Sequence, residues 1–476
     1  MKNTILPLFI LAIISVKTAF SQTFPGKNWE RNEYSIFSGW DQNKLEAIRE
    51  YVVDSTATTG MLIIHDGEII FEYGNINENS YIASCRKSVM AMLYGKYVKD
   101  GTIDLDKSLK NIQIPKTELL LNSEKEATVR DIISSRSGVF LPAANGGDLQ
   151  HLAPKRGSVK PGEFWLYNNW DFNIAGYIFE KETKNNIYDD LESQFAIPLQ
   201  MQDWDRSLQE KDENPLITDI SAYHMWFSAR DMARLGLLML NNGTWNNTQI
   251  INKDWVHEMT TPKSTFEEVD KIAPFFKENG GWYSYGYMWW LWEKPSNKIL
   301  KGAYTASGAW GQNITMFPEI NTVLVIKTND IYERQKGDHY YIIDEVSKSY
   351  NLEAAQLFKK ALVSLKGNNI SEFIKDLKAI KKSNPNIDFQ DVINKIGYGY
   401  LSSKDYDKAI QLFMFNIEQH PKMWNLYDSL GEAYFFSGDY KKSLINYKKA
   451  LELNTQNQYN FNDRIKHVIK KIELKI

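Results

Sequence analysis

Apolar and polar positions alternate with different periods along the chain. Met61-Leu62-Ile63-Ile64-His65-Asp66-Gly67-Glu68-Ile69-Ile70-Phe71 is two apolar runs about an Asp-Gly pair. Such a pair suits the tight turn of a β-hairpin, whose central residues need positive φ. Residues 304–312, 313–317 and 322–327, with Pro318-Glu319 before the last run, predict further strands late in the chain. Helical spacing covers 42–53, 85–99 and 228–241. Strands early and late with helices between them predict an α/β (α+β) domain, an antiparallel sheet with a helical region inserted in the middle.

From about residue 353 the pattern turns helical and repeats. Ile396-Gly397-x-x-Tyr400 returns as Leu430-Gly431-x-x-Tyr434, an offset of 34 residues (396 to 430). The same offset relates Tyr406 to Tyr440, Ile410 to Leu444, Phe413 to Tyr447 and Ile417 to Leu451, while Ala409 is matched by Ser443. This all-α stretch resembles the tetratricopeptide repeat, a helix pair of that period. Residues 353–385 then read as a degenerate earlier pair, and 461–475 as a capping helix. The expected divisions are 1–21, 22–350 and 351–476. The repeats either stabilise the rest of the chain or form a groove for a protein partner.

Residues 1–21 stand apart from both patterns. Lys2, the apolar run Ile5-Leu6-Pro7-Leu8-Phe9-Ile10-Leu11-Ala12-Ile13-Ile14 and Ala19-Phe20-Ser21 before Gln22 predict a cleavable signal peptide. A secreted or periplasmic protein follows. No Cys follows the apolar run, which argues against a lipid anchor, and no later run is long enough to predict a transmembrane span. Without Lys2 and Lys17 the 56 basic residues become 54 against 59 acidic ones, a net charge of −5. That argues against nucleic acid as the main partner. Cys85 is the sole cysteine, so no intramolecular disulfide is possible. Seven histidines make no metal-ligand spacing, His257-Glu258 lacking a second His, so no metal is expected. Aromatics at 13% predict large packed cores or an aromatic-lined cleft.

The candidate chemistry begins at Ser84-Cys85-Arg86-Lys87, the sole Ser-x-x-Lys, where strand pattern gives way to helix. Three residues apart on a helix, hydroxyl and amine share a face. A serine alcohol needs a base, and a lysine serves if burial and neighbouring positive charge lower its pKa. The plain alternative is a helix-capping Ser with Lys in solvent. Tyr167-Asn168-Asn169 precedes a second helical run, and a tyrosine hydroxyl near the serine can pass protons. Ala306-Ser307-Gly308-Ala309-Trp310 lies on a late strand, where an edge N–H can serve an oxyanion hole and Gly308 permits close approach. Cys85 is a rival nucleophile, but it points about 100° from Ser84 around the helix and reads better as a small buried residue. Trp165, Trp170 and Trp310 flank these motifs, as core or as cleft lining.

Together these segments resemble the serine hydrolases related to class C β-lactamases, penicillin-binding proteins and 6-aminohexanoate-dimer hydrolases. Similar stretches are Gly101-Thr102-Ile103-Asp104-Leu105-Asp106, residues 128–139, residues 227–234 and Tyr285-Gly286-Tyr287-Met288-Trp289-Trp290. The resemblance implies a β-lactamase/transpeptidase-like fold, no cofactor, and hydrolysis of an ester or amide in a small-molecule or peptide substrate. It implies Ser84 as nucleophile, Lys87 as proton acceptor and Tyr167 as acid and base. Asn169 would orient substrate or Lys87, and Ser307, Gly308, Ala309 and Trp310 would bind substrate. The N–H groups of Ser84 and Ala309 would form the oxyanion hole. Where the family has Lys-Thr-Gly or His-Thr-Gly, this chain has Ala306-Ser307-Gly308. A cation for a β-lactam or D-alanyl carboxylate is missing, so weak β-lactamase activity is expected. A D-alanyl peptidase and a catalytically idle scaffold remain the alternatives.

Overall fold

The computed structural model describes residues 24–32, 35–294, 296–328, 338–385, 387–457 and 461–475. The expected signal peptide lies outside the described residues. Packing divides the chain into two compact units, residues 1–31 with 57–339 and residues 32–56 with 340–476.

The first unit is built on seven strands: β1 (Thr58–His65), β2 (Glu68–Gly74), β3 (Tyr283–Tyr285), β4 (Trp290–Trp292), β5 (Tyr304–Gly308), β6 (Gln312–Phe317) and β7 (Thr322–Thr328). Their order is β2-β1-β7-β6-β5-β4-β3, with every neighbouring pair antiparallel. The Asp-Gly turn forms as its residues require, with φ of 51° at Asp66 and 86° at Gly67, and His65 pairs with Glu68. The early strand β1 pairs with the late strand β7, Met61 opposite Ile326 and Ile63 opposite Leu324. Residues 75–282 are therefore an insertion that runs from β2 at one edge of the sheet to β3 at the other, a helical region in the middle of the chain as the sequence pattern predicts.

Strands β6 and β7 are buried along their whole length, so both faces of the sheet centre are covered. Helix α1 (Cys85–Lys99) packs against β5 and against α2 (Asn169–Thr183). Its apolar run Val89–Tyr94 ends at Gly95, where a Cβ would lie 2.4 Å from Trp255 Cδ1. Trp255 Nε1 donates to Ala91 O at 2.8 Å, locking that close approach. Lys96 and Lys99 in the last turn suit the negative end of the helix. Helix α3 (Ala229–Leu240) starts at Ser228, whose side chain accepts from Asp231 N, and packs on β1, β6 and β7.

The second unit contains α4 (Leu352–Lys366), α5 (Ile370–Ser383), α6 (Gln390–Ser402), α7 (Tyr406–Gln419), α8 (Trp424–Ser437), α9 (Tyr440–Leu453) and α10 (Phe461–Glu473). α6 packs on α7, α7 on α8, α8 on α9 and α9 on α10. The positions related by 34 residues do the same structural job. A Cβ on Gly397 would lie 2.4 Å from Phe413 Cε1, and one on Gly431 would lie 3.0 Å from Tyr447 Cδ2. In each case the missing side chain lets an aromatic ring of the next helix pack on the backbone. Ser443, standing where the first copy has Ala409, satisfies its buried hydroxyl by donating to Gly431 O at 2.8 Å.

Residues 32–56, expected with the sheet, gather instead with these helices. The Phe37 ring sits 5.7, 5.8 and 6.1 Å from those of Phe358, Phe373 and Phe389, in the core built by α4 to α7. The helix Gln42–Ser55 follows Asp41, whose carboxylate caps it and whose N–H donates to Ser349 O at 2.8 Å. Among the described residues no helix is long and apolar enough to cross a membrane.

Candidate active site

Ala83, at φ 47°, turns the chain from the two-residue strand Ser80–Tyr81 into α1. Ser84 at the helix entrance makes no side-chain capping bond, so its hydroxyl is not spent on the backbone. Lys87 is 1% exposed. Its Nζ donates to Ser84 Oγ at 2.9 Å and to Tyr167 Oη at 2.7 Å. The capped serine with a solvated lysine is therefore not what forms. The amine also lies 4.1 Å from the Tyr167 ring centre and 4.3 Å from that of Phe172. Burial holds the Lys87 pKa well below its ordinary value, helped by the Arg86 charge and opposed by Asp148 and Cys85. Burial likewise raises the Tyr167 pKa, while a hydrogen bond with Ser84 pulls the other way. An amine driven toward its neutral form, a protonated phenol and a half-buried serine hydroxyl thus share one hydrogen-bonded cluster.

Tyr167 is fixed by aromatic packing, with Phe172 at 4.9 Å, Trp290 at 5.2 Å and Tyr285 at 6.2 Å between ring centres. Trp165 and Trp170 are buried in the core and do not reach a cleft. Trp310 is 43% exposed, sits at φ 59°, and its ring lies 6.4 Å from that of Tyr81.

The end of β5 lies against Ser84. A Cβ on Gly308 would be 2.7 Å from Ile82 O and 2.9 Å from Ser84 N. Gly308 is in extended backbone that any residue adopts, so space rather than φ requires glycine here. Ser307 pairs with Asn313 on β6, and Ala309 follows, exposed, beside Trp310. Ala306 is fully buried, and its carbonyl accepts from Cys85 Sγ at 3.4 Å. Burial pushes the Cys85 thiol pKa up, away from a reactive thiolate.

Asn169 does not reach Lys87. Its Nδ2 donates to Gly146 O at 2.7 Å and Asn145 O at 3.3 Å, and its N–H donates to Asp148 Oδ2 at 2.9 Å. Its Oδ1 is buried and has no partner. Sequence reasoning missed three charged groups nearby. Arg86 is buried one residue before Lys87, and Asp148 lies in the loop that Asn169 holds. Lys327 on β7 is buried, donates to Ser80 O and Phe227 O, and has its pKa pushed down to about 7 by burial. Charged residues are read as surface by default, and only Arg86 carried a hint, lying inside a motif. Among the described residues no group of His, Cys, Asp and Glu is arranged to hold a metal ion.

Comparison with known proteins agrees with this fold. An uncharacterized protein of Alkalihalophilus pseudofirmus is 22% identical over 297 residues, 56% of this chain and 82% of its own length. The solved structure of a proposed 6-aminohexanoate-dimer hydrolase from Bacillus anthracis superposes with a TM-score of 0.52 at 19% identity, covering 70% of this chain and 88% of that one. A proposed β-lactamase from Bacteroides dorei gives 0.49 at 18% identity, covering 65% and 98%. The family model described as Beta-lactamase matches residues 46–347. With that match spanning more than half of its length, sheet, insertion and helix α1 included, the chain belongs to the β-lactamase family.

Proposed function

We propose that this protein is an exported serine hydrolase that cleaves an ester or amide through an acyl-enzyme on Ser84. The observation that carries this reading is the buried Lys87 amine, 2.9 Å from Ser84 Oγ and 2.7 Å from Tyr167 Oη. As Ser84 Oγ bonds to the substrate carbonyl carbon, its proton passes to the neutral Lys87 amine. The tetrahedral oxyanion would be held by the N–H groups of Ser84 and Ala309, a reading supported by the close approach of Gly308, the residue before Ala309, to Ser84 N. When the carbonyl re-forms, the bond to the leaving group breaks, and Tyr167 supplies its proton and is reprotonated from Lys87. Water then attacks the Ser84 ester and gives a proton to the same pair; the bond to Ser84 Oγ breaks, the pair returns that proton to Oγ, and the acid is released. Trp310, exposed at the end of β5, and Ser307 line the substrate side, and Asn169 sets the wall opposite through the loop it holds.

The buried Ala306 leaves no cation at the position from which the family binds a carboxylate. A lost charge-assisted contact costs about 1.5–3 kcal/mol, ten- to a hundredfold or more in affinity. A panel of p-nitrophenyl esters, a chromogenic cephalosporin and D-alanyl peptides tests this. The expected result is turnover of esters with at least about tenfold poorer kcat/KM on the carboxylate-bearing substrates. Efficient cephalosporin turnover would contradict the role given to Ala306. The paired Gly397–Phe413 and Gly431–Tyr447 contacts support a tetratricopeptide-like array in the second unit, a surface suited to a protein partner.

A further inference from the structure

Arg86 is 1% exposed, yet among the described residues no carboxylate forms an ion pair with it. It shares a hydrogen bond with Tyr81, and its Nε has no partner. A buried charge without a counterion is costly and persists only where the surrounding structure enforces it. Its burial leaves no face for a ligand, so its effect must be exerted on its neighbours. Its neighbours along α1 are Cys85 and Lys87, and its charge acts on the Lys87 amine.

An opposite charge is fastened on the other side. Asp148 accepts from Asn169 N at 2.9 Å and from Gln150 N at 3.2 Å, and Leu149 N donates to Tyr167 O at 2.9 Å. The preceding turn is held by Asn169 Nδ2 on Gly146 O and by Asn173 Nδ2 on Asn145 Oδ1 at 3.1 Å. Four of these hydrogen bonds hold the Asp148 loop to the segment that carries Tyr167. We propose that Arg86 and Asp148 are positioning residues that act through Lys87. A fixed cation on its own helix and a fixed anion on the facing loop poise the amine between accepting and returning the proton. The proposal rests on the reading of Lys87 as the base.

Of the other titratable groups around the site, Lys327, lowered to about 7 by burial, donates to Ser80 O and Phe227 O and not to Lys87, Ser84 or Tyr167. Burial raises the Tyr167 phenol and the Cys85 thiol, and lowers His224 to about 4. Ser84 and the Phe172 ring complete the surroundings. The Arg86 charge favours the neutral amine, and that of Asp148 favours the ammonium.

The test is the pH profile of kcat/KM on an uncharged p-nitrophenyl ester, with the full chain. The acid limb follows loss of the neutral amine. In Arg86→Gln it moves to higher pH by about one unit, tenfold in rate on the limb. In Asp148→Asn it moves to lower pH, and Arg86→Lys restores the wild-type position. Should Arg86→Gln fail to fold by its melting curve, Asp148→Asn carries the test alone. Lower kcat with an unmoved limb in both variants makes these packing residues and overturns the proposal. A shift seen only with an anionic ester makes Arg86 a ligand contact and overturns it equally. Turnover surviving Ser84→Ala refutes the acyl-enzyme reading itself, a result separate from either.

Discussion

Replacing Lys87 by Met lowers kcat/KM on an ester by about a thousandfold or more while leaving the protein folded. The amine is the group that links Ser84 Oγ to Tyr167 Oη, and its removal leaves the alcohol with no base. General acid–base groups contribute about 10²–10⁴ in rate, and here one side chain serves both half-reactions. Met preserves the length and apolar stem against Phe172. The stability effect has the opposite sign. Lys87 has its pKa depressed in the folded state, so between that value and the ordinary one the unfolded chain binds more protons. Stability of the native protein therefore rises with pH through that window, and at neutral pH the buried lysine is a cost. The variant loses this rise, and its melting temperature at pH 7 is equal to or above that of wild type. Melting curves from pH 6 to 10, set beside steady-state kinetics, check both halves. A variant that melts much earlier at pH 7 would show that the lysine is held for structure.

The second large effect is at Gly308. Replacing it by Val lowers kcat/KM by about a hundredfold or more, because a Cβ would stand 2.7 Å from Ile82 O and 2.9 Å from Ser84 N. Both are backbone atoms with nowhere to retreat, so either β5 or the nucleophile moves. A displacement of about 1 Å costs about 10² in rate, and loss of one oxyanion donor costs about 10²–10³. Gly236→Ala is the control. Its Cβ would press on Val323 Cγ1 at 2.5 Å and Ile314 Cγ2 at 2.9 Å, side-chain atoms of the sheet. It is expected to cost about 1–3 kcal/mol of stability with kcat nearly unchanged. Equal kcat losses in the two variants would remove the special place given to Gly308.

What was legible in the sequence follows from which constraints are local. The Asp66-Gly67 turn declares its hairpin because few other dipeptides tolerate two positive φ values. The pairing of an early strand, β1, with a late one, β7, was legible because fully buried strands read as unbroken apolar runs. Ser84, Lys87 and Tyr167 could be picked out by residue type and spacing, and the fold brings them within hydrogen-bond reach. Long-range placement was not legible. One phenylalanine at 37 shows no sign of joining Phe358, Phe373 and Phe389, because no period marks a single anchor. Asn169 was read as orienting substrate or Lys87; its hydrogen bonds go to 145–148, a loop whose path no local pattern reveals. Arg86 and Lys327 were passed over because burial of a cation runs against composition rules. Such violations gather where a site needs a shifted proton affinity.

The central claim is that Ser84 carries the acyl group. Rapid quenching of the protein with a slowly hydrolysed p-nitrophenyl ester, followed by peptide mass analysis, tests it directly. The account predicts the acyl mass on the peptide containing Ser84, assigned to that residue by fragmentation, with neither adduct nor turnover in Ser84→Ala. An adduct on Cys85, or undiminished hydrolysis by Ser84→Ala, would contradict it.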